Sequence, residues 1–209
     1  MRRACWAIAI TTVLILATSA QPAAGAAPTW VAITGPADWA PTPGYTLEIG
    51  RGAWVINATN GGHSLDALEA AGAERLAGKI LVDVANPLDT SRGMPPTLLF
   101  CNTESLAERI QAAFPDARVV KTLNTTNAQM MVDPRQLTEP TAMFVSGNDQ
   151  EAKDWVHREL LEHWFGWEQV LDLGDITAAR GQEMWIPLWL RLMGATGTAA
   201  FNLRIVAST

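Results

Sequence analysis

The chain is short of charge, of cysteine and of histidine, and each shortage removes a class of function. Only 17% of its 209 residues are charged, the net charge is −6, and Lys and Arg form no dense run. Binding to a nucleic-acid backbone needs clustered cations, so nucleic acid is excluded as an expected partner. Two cysteines, Cys5 and Cys101, cannot make a disulfide framework if the first lies in a removable segment. Of the three histidines, His157 and His163 are six apart, off the i,i+4 spacing that brings two ligands to one metal, and His63 is remote. No metal site is expected. A G-x-S-x-G elbow and a Walker lysine are also missing, and Cys101 has no base near it in sequence. No acid–base or nucleophile set is visible, so no catalytic side chain is assigned.

What is present is an ordinary globular interior. Hydrophobic residues make up 48% of the chain, enough for one well-buried domain. Three stretches differ in character. Residues 1–26 combine the cations of "MRR" with the apolar run "CWAIAITTVLILA" (5–17) and small residues at A-x-A spacing in "TSA" and "AGA". That pattern reads as a signal-peptide-like segment, too short for a membrane span. A first strand and helix, or a start-site or frame error upstream, are the competing readings. Residues 27–52 carry four prolines between positions 28 and 43 and no sustained period, which predicts a loop or linker with at most short edge strands. Residues 53–209 form the regular domain.

Within it, strands are expected at 53–58, 79–85, 117–123, 141–147 and 168–174, and helices at 63–72, 103–114, 149–164 and 175–197. Thr103 is the expected cap of the second helix and Asp149 of the third, and Gly72 stops the first. Continuous apolar strands alternating with helices predict a Rossmann-like α/β fold, its sheet mostly parallel and covered on both faces. Five parallel strands are expected from residue 53 onward. The helix at 175–197 contains Pro187 and is apolar nearly all round. It predicts Met184, Leu188 and Met193 toward the core, with Trp185, Trp189 and Leu192 on a face that pairs in a homodimer. The tail "FNLRIV" (201–206) is expected as a short strand or an arm across a partner.

In open α/β sheets ligands bind outside the carboxyl ends of the strands. The residues there are Asn57-Ala58-Thr59-Asn60-Gly61-Gly62, Asn86-Pro87-Leu88, Thr122-Leu123-Asn124-Thr125 and Ser146-Gly147-Asn148-Asp149. They offer neutral donors and acceptors, suited to a ring amide or a ribose. Gly61-Gly62 reads either as a tight turn or as a place where backbone approaches a flat ring. Lys121, near a strand end, reads as a phosphate contact or, more commonly, a solvated lysine.

The stretches "WVINATNGG", "LAGKILVDVANPLDTSRGMPPTL", "CNTESLAERIQAAFPDARVVKTLNTTNA", "MFVSGNDQEAK", "DLGDITAARGQEMWIPLWLRLMG" and "FNLRIV" occur in that order over residues 54–206. In them the chain resembles the coenzyme F420-dependent NADP oxidoreductase family, and within it the NADPH-dependent F420 reductase-like members. The resemblance implies an NADP-dependent oxidoreductase passing hydride between NADPH and a deazaflavin, coenzyme F420, stacked at the strand ends. It places Asn57 and Ala58 near the nicotinamide half, with Asn86, Pro87 and Leu88 in the same crevice; Thr59 and Asn124 complete the expected cofactor-binding set. Hydride transfer between two cofactors relies on stacking and distance, which suits a site without a protonating side chain. A cytoplasmic location follows from the resemblance, a secreted or periplasmic one from the signal-like start.

One departure stands out. Family members open with a strand, a G-x-G-x-x-G turn and a helix, followed by a Ser-Arg-type motif that reads the 2′-phosphate. Neither motif is present here, so the N-terminal half of the fold is expected to be incomplete and the grip on NADPH impaired. An exported, non-catalytic small-molecule-binding or remnant protein is the alternative.

Overall fold

The computed structural model describes residues 54–208, together with two strands before them, β1 (Val13–Ala17) and β2 (Trp30–Thr34). The signal-like segment and the Pro/Gly-rich linker otherwise lie outside the described residues. Strands β3 (Trp54–Asn57), β4 (Ile80–Asp83), β7 (Arg118–Thr122), β8 (Ala142–Ser146) and β9 (Gln169–Asp172) continue the sheet in the order β2-β1-β3-β4-β7-β8-β9. A small separate hairpin joins β5 (Leu88–Asp89) to β6 (Thr97–Leu98).

All five strands expected from residue 53 onward form, and β3, β4 and β7 are parallel, with Asn57 level with Asp83 and Asp83 level with Lys121. The expectation of five parallel strands is corrected at the next step. Strand β8 runs antiparallel to β7, with Lys121 opposite Ser146, and β9 follows the direction of β8. The physical reason lies in the connection. Residues 123–141 hold only the short helix α4 (Ala128–Val132) and a 3₁₀ turn at Pro134–Gln136. A parallel return needs a helix laid along the sheet, and without one the chain enters β8 at the end where it left β7. Ser146-Gly147-Asn148-Asp149 therefore leads away from the expected ligand end, and the Asp149 carboxylate pairs with Arg118, the first residue of β7.

Both faces are packed, as the unbroken apolar strands require. On one face Val55, Leu81 and Val119 meet Leu68 of α1 (Ser64–Ala71), Leu106 and Ile110 of α3 (Leu106–Ala113), and Ala179 of α6 (Ala179–Thr196). On the other, Ile56, Val82, Val120 and Val145 meet Ala152 of α5 (Gln150–Trp155) and Val156, Leu160 and Leu161 of its continuation. Each large side chain so buried contributes roughly 1.5–3 kcal/mol. Residues Val156–Phe165 wind as a π-helix, a wider turn than the α-helix expected over 149–164. A short helix α2 (Ala73–Leu76) links α1 to β4.

Gly72 ends α1 at φ 94°, as expected, and Asp149 caps α5 by accepting from the Ala152 amide. The cap of α3 is Ser105, which accepts from the Glu108 amide, rather than Thr103. The tail at 201–206 forms no strand. It lies along β8 through one backbone bond, the Ala142 amide to the Leu203 carbonyl at 2.8 Å, backed by the Asn202 side chain.

The predicted faces of α6 are also corrected. Its inward residues are Gln182, Glu183 and Ile186, while Met184 and Leu188 are 39% and 52% exposed. Trp185 donates to the Thr125 carbonyl, and Trp189 stacks on Phe201. Two polar side chains face the sheet because it offers them partners: Gln182 takes a bond from Ser146, and Glu183 reaches Lys121. Hydrophobicity alone could not reveal that.

Candidate functional site

The carboxyl ends of β3, β4 and β7 lie side by side, and the residues expected to bind cofactor converge there. They fall into two groups with different jobs.

Asn57, at the end of β3, is fully buried, and all its hydrogen-bonding capacity is used. Its Nδ2 donates to Asp83 Oδ1 at 2.8 Å and to Ser64 Oγ at 3.1 Å. Its Oδ1 accepts from the hydroxyl and the amide of Thr59. Ser64 Oγ and Thr59 Oγ1 are 2.7 Å apart. Since Thr59 gives its only hydroxyl proton to Asn57, Ser64 must donate to Thr59. The three side chains thus close a ring of hydrogen bonds in one direction, and this ring shapes the loop that carries Ala58, Thr59 and Asn60. Asn60 in turn caps the 3₁₀ turn at Gly61–His63 by accepting from the Gly62 amide.

Asn86 and Asn124 form the second group. Asn86 Nδ2 donates to the Asn124 carbonyl, and Asn124 Nδ2 donates to Asn86 Oδ1, both at 2.9 Å. The pair ties the ends of β4 and β7 together. Asn124 Oδ1 is left buried with no partner, as is the neighbouring Thr122 Oγ1. Leu123 between them has φ 62°, a left-handed conformation that a non-glycine residue adopts at a cost. An unpaired buried acceptor costs about 1–3 kcal/mol unless something donates to it. Pro87 is buried, and half-buried Leu88 opens the hairpin, its amide bonded to the Asn86 carbonyl.

Gly61 brings the two groups into contact. A Cβ there would lie 2.1 Å from the Asn86 carbonyl oxygen and 2.7 Å from the Pro87 nitrogen. The close approach that glycine allows is to a neighbouring peptide of this chain.

Beneath the strand ends lies an ionic group that sequence reasoning missed. Lys121 is neither solvated nor turned to a ligand: its side chain is 0% exposed. It meets Asp83 at 2.8 Å and Glu183 at 2.9 Å, and its third proton goes to the Ala85 carbonyl. Burial pulls the Lys121 pKa down, but the charges of Asp83 and Glu183 outweigh burial and hold it above the ordinary lysine value. Glu183 also accepts from the amides of Leu106 and Ala107 at the start of α3. A signal did exist. "ILVDV" and "RVVKT" each place one charge inside an apolar strand, and adjacent buried strands tolerate that only if the charges pair.

Among the described residues no cluster of His, Cys, Asp or Glu could hold a metal ion, and no helix is long and apolar enough to cross a membrane. Cys101 is exposed and free.

No family model matches the chain. A solved structure from Arthrobacter sp. FB24, named as an F420-dependent NADP reductase, is 58% identical, with a TM-score of 0.73 over 75% of this chain and 71% of that one. The F420-dependent NADP reductase of Methanocaldococcus jannaschii is 32% identical over 140 residues, 63% of this chain and 60% of the relative. The rat metalloreductase STEAP3 is 34% identical over 119 residues, 56% of this chain and 22% of the relative. The chain therefore spans about three fifths and about one fifth of these two curated relatives.

Proposed function

The chain belongs to the F420-dependent NADP reductase family, and from that premise we propose that it is an NADP-dependent oxidoreductase passing hydride between NADPH and a deazaflavin of the F420 type. The observation that carries the reading is the buried, unpaired Oδ1 of Asn124 at the joined ends of β3, β4 and β7. The atom is closed to solvent in this structure, so a ring amide or ring N–H would satisfy it as the strand ends open to admit the ring. When bound, the two cofactors supply the hydride donor and acceptor. The chain's part is to orient and to exclude water. Asn124 offers its unpaired Oδ1, Asn86 holds that side chain in place, Pro87 and Leu88 form an apolar wall, and Ala58 and Thr59 a loop fixed from below by Asn57.

The described residues fit the ring half of such a cofactor. For the pyrophosphate half, the sequence offers no glycine-rich turn. Losing two charge-assisted backbone bonds, each worth about 1.5–3 kcal/mol, would weaken NADPH binding by a factor on the order of hundreds or more. The reading is therefore of an oxidoreductase with a weak grip on NADPH, acting in the cytoplasm like the family it belongs to. The missing turn favours a second reading, a non-catalytic binder using the same crevice.

Calorimetric titration with NADPH, followed by the rate of NADPH oxidation with F420 supplied, separates the two. Measurable oxidation supports the enzyme. Binding of a small ring amide without any turnover supports the binder. Micromolar NADPH affinity would show that residues before 54 rebuild the cradle.

A further inference from the structure

We propose that Asp83, held in place by Lys121, is a positioning residue that sets the conformation of the site loop at 58–60 and of the β4 end at 85–86, acting through the amide of Asn57. The inference deepens the function proposed above, because its consequence for catalysis rests on those two segments facing the cofactor. Its structural content stands on the geometry alone.

The geometry leaves little freedom. Lys121 has three protons, and all three are placed on Asp83 Oδ2, Glu183 Oε1 and the Ala85 carbonyl. That fixes the Asp83 rotamer and leaves Oδ1 turned toward β3. There it accepts from two groups, Asn57 Nδ2 at 2.8 Å and the Ala85 amide at 3.2 Å. A carboxylate can only accept, so Asn57 must turn its NH₂ toward Asp83. Its Oδ1 must then face the loop, where it takes the hydroxyl and the amide of Thr59. The direction of the whole ring through Ser64 follows from that one choice. A charge buried beneath the strand ends thus decides which way a neutral amide, itself buried, points under the site loop.

Asp83→Asn tests the link with a change of one atom. Lys121 keeps Glu183 as counter-ion and claims the new side chain's oxygen. The new NH₂ then faces Asn57 and the Ala85 amide, donor against donor. Asn57 must rotate, and the amides of Thr59 and Ala85 lose their acceptor. Glu183→Gln is the control. It also removes one carboxylate from Lys121, yet it touches neither Asn57 nor Ala85.

The readout is amide hydrogen exchange by NMR on the chain without cofactor. Expected is faster exchange at Thr59 and Ala85 in Asp83→Asn, about tenfold for the loss of one net hydrogen bond. The Asn57 side-chain NH₂ signals should shift in the same variant, and Glu183→Gln should leave these groups as in wild type. Equal loosening in both variants, or in neither, overturns the proposal, because the triad would then be core ballast with no say over the loop. If Asp83→Asn does not fold, Thr59→Val reads the same link from the other end. It removes the hydroxyl that Asn57 holds, and unchanged exchange at residues 58–60 overturns the proposal equally. NADPH oxidation by wild type is measured beside these. An inactive wild type whose Asp83→Asn form shows the loosened loop would sink the oxidoreductase reading and leave the positioning role standing.

Discussion

Gly61 stands so close to Asn86 that a single added methyl group would sit 2.1 Å from the Asn86 carbonyl oxygen. The loop after β3 and the turn after β4 are in backbone contact at this point, and the contact lies at the mouth of the candidate site. Because the obstacle is backbone, it cannot swing aside as a long side chain would. Gly61→Ala is expected to destabilise the fold by about 1–3 kcal/mol through overpacking and to weaken cofactor binding as the two strand ends separate. Urea denaturation gives the first quantity and calorimetry the second. A variant with wild-type values in both would mean the loop shifts freely.

The Asn86–Asn124 pair separates architecture from binding. Asn86→Ala removes both bonds of the pair and leaves Asn124 Nδ2 without its acceptor, an expected loss of about 1–3 kcal/mol. Asn124→Leu removes the unpaired Oδ1. It should cost less stability than its burial suggests and should abolish ring-amide binding. Nicotinamide titration of Asn124→Leu is the check, and undiminished affinity would remove Asn124 from the site.

Removing the ammonium of Lys121 should be far more damaging than removing an exposed charge. Lys121→Met leaves two buried carboxylates facing each other. Breaking a buried pair typically costs about 3–5 kcal/mol, and thermal or urea unfolding measures it. The folded pKa of Lys121 is raised. Its contribution is therefore complete below the ordinary lysine value of 10.5 and is lost only as pH climbs through the raised folded value. A wild-type stability that fell, through Lys121, as pH rose across neutrality would contradict the triad.

Acid should loosen the contact between α3 and α6. Glu108 carries a forked bond from Arg180, and that bond, with help from Ser105, holds its carboxyl below the ordinary glutamate value of 4.5. A depressed carboxyl contributes stability above the unfolded pKa and loses it as pH falls through the folded one. The urea midpoint should fall below about pH 4.5, by less in Arg180→Gln than in wild type. Parallel curves for the two would show the pair to be idle.

The exposed apolar face of α6 carries the homodimer proposal in revised form. Leu188 and Met184 are outward, and a two-fold axis would let one such patch cover itself. Trp189, expected on the pairing face, stacks on Phe201 within the chain, so Leu188 is the residue to change. Sedimentation of Leu188→Glu should show a monomer replacing a dimer. A wild type that already sediments as a monomer ends the proposal.

Periodicity and composition determined the elements of this protein. Apolar runs of strand length, spaced by amphipathic stretches, must bury both faces, and so "WVIN", "ILVD" and "RVVKT" become the three parallel strands whose ends carry Asn57, Asn86 and Asn124. Caps chosen by local chemistry were legible as well, at Gly72 and Asp149. Three things were decided only by tertiary structure. The direction of β8 depended on where a connection without a sheet-length helix could bring the chain back; the pattern shows that no such helix spans 123–141, and only the assembled sheet turns that into a direction. The inward face of α6 depended on Ser146 and Lys121 waiting on other strands, so two polar residues turned in and two apolar ones out. The pairing of Lys121 with Asp83 and Glu183 joins positions 38 and 62 residues away in sequence, by adjacency of strands and docking of a helix. Local sequence marks such a charge as costly, and only the assembled fold supplies the partners that make it bearable.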